Sequence, residues 1–129
     1  MTLCLDSIII KPDVTQEIKN AIVLLHGYGG DGRDISTIAM NWKRHLPNTV
    51  FICPNGHESC SINPTGYQWF DLTKDDNDYI LKQSMKAEKK LNEFVDEVKN
   101  LFNLEKNKIC LSGFSQGCMT VSYTHLTLP

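Results

Sequence analysis

Lys108-Ile109-Cys110-Leu111-Ser112-Gly113-Phe114-Ser115-Gln116-Gly117 is the stretch on which the reading of this chain turns. The apolar run Lys108 to Leu111 reads as a strand, and it leads into Gly113-Phe114-Ser115-Gln116-Gly117. A glycine two residues to either side of a serine lets the backbone turn sharply at a strand end and lets a helix begin directly behind it. That is the layout of a nucleophile elbow, in which the Ser115 hydroxyl projects from the end of a sheet. The five-residue pattern by itself is modest evidence, so its surroundings decide what it means.

Working outward, Ala21-Ile22-Val23-Leu24-Leu25 is a continuous aliphatic run, the kind buried on both faces of a parallel sheet. It stops at His26-Gly27-Tyr28-Gly29-Gly30-Asp31-Gly32, whose four glycines predict a loop built for unusual dihedrals or close backbone approach. Leu3 to Ile10 and Thr49 to Cys53 read as further strands, and Asp34 is placed to cap a helix from about Ile35 to Leu46. Pro54 to Asp71 is irregular and carries His57, Tyr67, Trp69 and Phe70; loops of this length in compact domains are often functional. From about Asp78 to Asn103, Met85, Leu91, Phe94, Val95, Val98, Leu101 and Phe102 recur largely at threes and fours, with lysines and glutamates on the other face. That is a long amphipathic helix lying on a sheet. Strands alternating with helices predict an α/β fold with a mainly parallel sheet and right-handed crossovers.

Bulk properties narrow the function classes. With 41% hydrophobic and 22% charged residues the composition is that of a globular protein. A net charge of -2 and the absence of a basic block give no electrostatic case for nucleic acid. No stretch approaches the ~18 apolar residues of a membrane span, and Met1-Thr2-Leu3 lacks a basic leader, which predicts a cytoplasmic protein with no stable membrane insertion. The five cysteines, Cys4, Cys53, Cys60, Cys110 and Cys118, show no Cys-x-x-Cys spacing and read mainly as structural, with Cys53 and Cys110 in strand-like runs expected to be small buried hydrophobes.

From Ala21 to about Met119 the chain resembles the phospholipase/carboxylesterase family of small α/β-hydrolases, which includes the acyl-protein thioesterases. The matching pieces are His26-Gly27-Tyr28-Gly29, Pro54-Asn55-Gly56, Gln68-Trp69-Phe70-Asp71 and the elbow, in the family's order. The resemblance implies a serine hydrolase that cleaves carboxylic ester or thioester bonds through an acyl-enzyme intermediate, without a metal or cofactor. It implies Ser115 as nucleophile, and the backbone amides of Tyr28 and Gln116 as the donors that meet the oxyanion. Gly27, Gly29, Gly113 and Gly117 are the loop and elbow glycines. Trp69 is either a wall of the acyl pocket or a packed core aromatic. His26 reads as a residue that orients the oxyanion loop rather than a general base, and His57 as surface or pocket rim. The resemblance implies a small-molecule or lipid-derived acyl ester as substrate.

The family places its catalytic Asp and then His after the serine, and here little chain follows it. Val121-Ser122-Tyr123-Thr124-His125-Leu126-Thr127-Leu128-Pro129 does not read as a helix that completes the elbow, and it is similar to the translation of a transposase-based sequencing adapter in one frame. The expected organisation is therefore residues 1–120 as the N-terminal part of one α/β-hydrolase domain and residues 121–129 as non-native, with His125 no catalytic base. On this reading the intact protein is an esterase and the 129-residue chain is inactive. The alternative is a non-catalytic protein that binds an acyl ligand on the same scaffold.

Overall fold

The order of elements along the chain is strand β1 (Ser7–Ile10), β2 (Asn20–Leu25), helix α1 (Gly32–Trp42), β3 (Thr49–Pro54), β4 (Glu58–Ser59), β5 (Tyr67–Gln68), α2 (Asn77–Phe102), β6 (Ile109–Gly113) and α3 (Gln116–Thr127). The structure is a computed structural model that describes residues 3–127, with side chains through Val121. Four strands form one sheet in the order β1-β3-β2-β6, and β4 and β5 form a separate short hairpin. β2 runs parallel to both β3 and β6, whereas β1 is antiparallel to β3.

Period-two alternation along the central strands separates the two faces of the sheet. Val23, Leu25, Val50 and Ile52 face α2 and α3, where they join Leu91, Phe94, Val98 and Val121 in the larger core. Leu24, Phe51 and Cys53 face α1 and pack with Ile35 and Ala39. β3 is buried along its whole length, which is why its sequence is apolar without alternation. Helix α2 buries Ala87, Leu91, Phe94, Val95 and Val98. It starts at Asp76, whose carboxylate accepts from the backbone N–H groups of Asp78 and Tyr79, and ends at Asn103 in the left-handed conformation at φ 53°.

Four expectations need correction. The first helix is capped by Asp31, not Asp34: Asp31 Oδ1 accepts from Asp34 N–H at 2.8 Å. Gly32, assigned to the loop, is its first residue, and the helix ends at Trp42 before a 3-10 turn over Lys43–His45. Met85 and Leu101, assigned to the buried stripe of α2, are 55% and 37% exposed, and Ala87 takes the core position instead. Residues 121–127, which read as no helix, continue α3, so the elbow does have its helix behind it. The side chain of His125 lies outside the described residues.

Among the described residues, the outer edge of β6 has no strand partner. Beside it Phe114 is 65% exposed. An unpaired edge next to an exposed aromatic promotes edge-to-edge association. The 129 residues expressed alone are expected to enter the insoluble fraction or to persist as a dye-binding molten species. A sharp, cooperative thermal melt of a soluble monomer would contradict this.

Candidate active site

Register brings the two glycine-rich segments together. Leu25, the last residue of β2, is paired with Gly113, the last residue of β6, so the loops that follow leave the sheet side by side. Ligands of open α/β sheets bind at this place, the carboxyl ends of parallel strands. Phe114 N–H donates to Leu25 C=O at 3.0 Å, which carries the pairing one residue into the turn. Ser115 then adopts φ 55°, a left-handed conformation rarely taken by a residue with a side chain. Its side chain is exposed, and α3 begins at the next residue.

The elbow glycines are required by crowding. A Cβ on Gly113 would stand 2.5 Å from the backbone nitrogen of Cys118, and one on Gly117 would stand 2.7 Å from the carbonyl oxygen of His26. Gly27 faces the elbow, and a Cβ there would lie 3.3 Å from Ser115 Cβ. Gly29 has φ +82° and turns the loop back toward Tyr67.

Of the expected oxyanion donors, Gln116 directly follows Ser115, and Tyr28 directly follows Gly27, which faces Ser115. Gln116 is the first residue of α3, where a backbone N–H has no acceptor within its own helix and the helix dipole favours negative charge. The peptide that joins Gly27 to Tyr28 is fixed through its oxygen. Gly27 C=O is within 2.6 Å of His26 Nδ1 and accepts from Gly30 N–H at 3.1 Å. In a trans peptide the C=O and N–H point in opposite directions, so pinning the oxygen aims Tyr28 N–H the other way.

His26 is the residue that does this. Its Nε2 accepts from Gly56 N–H at 2.9 Å, so the ring proton belongs on Nδ1, which donates to Gly27 C=O. Both nitrogens are thus occupied, and His26 has none to offer Ser115 as a base. Burial holds its pKa below the usual 6.5, against smaller opposing effects of the Gly27 hydrogen bond and the charges of Asp31 and Asp34. A base whose pKa is depressed on folding contributes stability above its unfolded value, and that stability is lost as pH falls below about 6.5 toward the folded value. His57, also lowered by burial, acts in the same direction. In the full-length protein the denaturation midpoint is expected to drop as pH falls below about 6.5; a flat profile there would contradict the assignment.

Trp69 is not a wall of the groove beside the elbow. It is 1% exposed, stacks on His26 with ring centroids 5.2 Å apart, and donates from Nε1 to His26 C=O at 3.0 Å. The indole N–H found its partner beneath the oxyanion loop, which drew the ring into the core. The groove itself, about 320 Å³ and mostly apolar, is lined by Gly27, Tyr28, Ile35, Ile38 and Phe114 among others. A second apolar cavity, about 290 Å³, lies between the start of α2 and α3 and is lined by Phe70, Ile80, Leu81 and Met119 among others. His57 is half-buried, and both of its ring nitrogens are shielded without a hydrogen-bond partner.

Several polar residues of the site carry no signal of their role in the sequence. The Gln116 side chain is 1% exposed; its Oε1 accepts from Trp69 N–H at 2.9 Å and its Nε2 donates to Phe70 C=O at 2.7 Å. Asn55 Oδ1 accepts from Gly32 N–H at 2.8 Å and ties β3 to the start of α1. Asp71 Oδ1 accepts from Thr73 N–H at 2.9 Å, Thr73 Oγ1 at 2.7 Å and Ser61 Oγ at 3.0 Å. These bonds hold the Asp71 carboxyl below the usual carboxylate range. The segment Gln68-Trp69-Phe70-Asp71 was visible as a family-like run, but nothing in it distinguishes a structural aspartate from a functional one.

A strand, a left-handed serine and a helix, facing a glycine-rich loop from the neighbouring strand, have the layout of a nucleophile elbow on an α/β-hydrolase sheet. Residues 6–129 match the family model described as Phospholipase/Carboxylesterase, and the chain belongs to that family. It is 30% identical to acyl-protein thioesterase 1 of Schizosaccharomyces pombe, over all of this chain and 58% of that protein. The crystal structure of esterase PE8 superposes with a TM-score of 0.88 at 36% identity, over 97% of this chain and 59% of the other. Zea mays acyl-protein thioesterase 2 superposes with a TM-score of 0.60 at 25% identity, over 92% and 50%. The chain thus spans little more than half the length of these relatives.

Proposed function

We propose that this chain is the N-terminal part of a serine hydrolase that cleaves carboxylic ester or thioester bonds of small or lipid-derived acyl substrates. The observation that carries the proposal is Ser115 at φ 55° immediately before α3, facing Gly27 of the glycine-rich loop that follows β2. Ser115 Oγ attacks the acyl carbonyl carbon, and the carbonyl electron pair moves onto oxygen. The backbone N–H groups of Tyr28 and Gln116 receive that oxyanion. Collapse expels the alcohol or thiol and leaves the acyl group on Ser115, from which water releases the acid.

The proton of Ser115 needs an acceptor. Among the described residues no hydrogen bond joins Ser115 Oγ to a histidine, and His26 is fully engaged. The reading therefore assigns the base and its orienting carboxylate to the remainder of a longer protein, with residues 1–120 native and residues 121–129 non-native. The relatives' greater length supports a longer protein. The 129-residue chain alone is then inactive. A cytoplasmic location belongs to the same reading, and the five cysteines are all free, as in a reducing compartment. Among the described residues no helix is long and apolar enough to cross a membrane.

Full-length protein mixed with excess short-chain p-nitrophenyl ester is expected to release a stoichiometric burst of nitrophenol before the steady state, provided deacylation is the slower step. Equimolar acyl-enzyme trapped by acid quench and seen by mass checks the same point when no burst forms. Binding of the ester without turnover or adduct would favour the acyl-ligand-binding alternative.

A further inference from the structure

We propose that Trp69-Phe70-Asp71 is a brace that sets the spacing of the two oxyanion donors, and that Asp71 is a positioning residue acting through the phenol of Tyr28. This rests on the hydrolase reading above and deepens it. Both donor residues are attached by their side chains to these three consecutive residues. Gln116 grips the backbone of Trp69 and Phe70 with both ends of its amide. Tyr28 donates its phenolic O–H to Asp71 Oδ1 at 3.3 Å, and its oxygen lies 2.9 Å from Ser61 Oγ, itself bonded to Asp71.

The composition of the oxyanion loop explains why a side-chain anchor matters there. In Gly27-Tyr28-Gly29-Gly30 only Tyr28 has a side chain, and glycine imposes little conformational preference of its own. The loop is otherwise tied by main-chain bonds. Gly29 N–H donates to Tyr67 C=O and Tyr67 N–H to Gly30 C=O, each at 2.9 Å, and Asn63 Nδ2 donates to Gly29 C=O at 2.8 Å. Those ties lie after Tyr28, and the His26 bond to Gly27 C=O lies before it. The phenol fixes the residue between. Because Asp71 follows the two residues gripped by Gln116, a displacement of the segment moves both donors together. Preorganised donors act only when their spacing matches the developing oxyanion, so loosening the brace should lower the rate of the acyl-transfer step and leave ground-state binding little changed.

The test is a double-mutant cycle in the full-length enzyme with Tyr28→Phe, Asp71→Ala and the double variant, assayed for kcat and KM on an aryl ester and for labelling rate by an alkyl phosphonate, whose oxygen occupies the oxyanion site. Each single variant is expected to lower kcat and the labelling rate about 10-fold with KM within about twofold, less than the ~10²–10³ of losing a donor outright. The double variant is expected to lose no more than either single one, since both cut the same link. Unchanged kcat in Tyr28→Phe overturns the proposal, as do multiplying losses of about 100-fold in the double variant. Should Asp71→Ala fail to fold, Ser61→Ala takes its place in the cycle, and Tyr28→Phe, which removes one hydroxyl, still decides. Retained activity in Ser115→Ala would instead sink the hydrolase reading, so the two failures are told apart.

Discussion

Ser115→Ala in the full-length protein is expected to abolish ester hydrolysis, with a fall in kcat on the order of 10⁶-fold and substrate binding nearly intact. The magnitude follows from what the hydroxyl does. In the proposed mechanism it forms the covalent bond to the acyl carbon, and no other described nucleophile occupies the elbow. Cys118, on the first turn of α3, is exposed but lies past the point where the strand delivers its residue. Alanine at position 115 keeps the helix start and both backbone donors, so the variant should fold and still bind an ester. Residual hydrolysis would then come only from the oxyanion hole acting on water. Steady-state assays of wild type and variant at matched thermal stability check this, and an unaltered rate would remove Ser115 from the mechanism.

Gly117→Ala is expected to cost about 3 kcal/mol or more and to leave the protein largely unfolded or unlabelled by substrate analogues. The added carbon would overlap the Leu25 carbonyl oxygen and stand 2.7 Å from both the Leu25 carbonyl carbon and the His26 oxygen. All three are backbone atoms at the end of the central strand β2, so no side-chain rotation relieves the contact. Separation of α3 from β2 would move Gln116 away from Tyr28, coupling the stability loss to a loss of the oxyanion hole. Chemical denaturation of the variant gives the size of the effect. A midpoint within experimental error of wild type would show that the close approach of helix and strand is not as tight as described.

Much of this arrangement was legible in the residues because glycine reports on the backbone. The spacing of Gly113 and Gly117 about Ser115 marks places where only a bare backbone fits, and the cluster Gly27 to Gly32 after an aliphatic run marks the turn out of β2, where Gly29 takes φ +82°. The long helix was legible from Leu91, Phe94, Val95 and Val98, whose spacing matches the buried face. Direction and side-chain aim were not. Ser7 to Ile10 looks the same whether its strand runs with β3 or against it, since three consecutive isoleucines specify no partner. Asp31 and Asp34 both resemble caps, and only the fold shows that the first accepts from the second. Trp69 offered a large apolar surface suited to pocket or core, and its indole N–H settled the matter by bonding His26. The Gln116 amide, buried between Trp69 and Phe70, was hidden because its partners are main-chain atoms far away in sequence.

The most direct measurement is the mass of the full-length protein after treatment with a fluorophosphonate, followed by peptide mapping. The proposal that Ser115 is the activated nucleophile requires one adduct per chain, on the peptide containing Gly113-Phe114-Ser115-Gln116-Gly117. A folded full-length protein that takes up no adduct, or takes it up elsewhere, would contradict it.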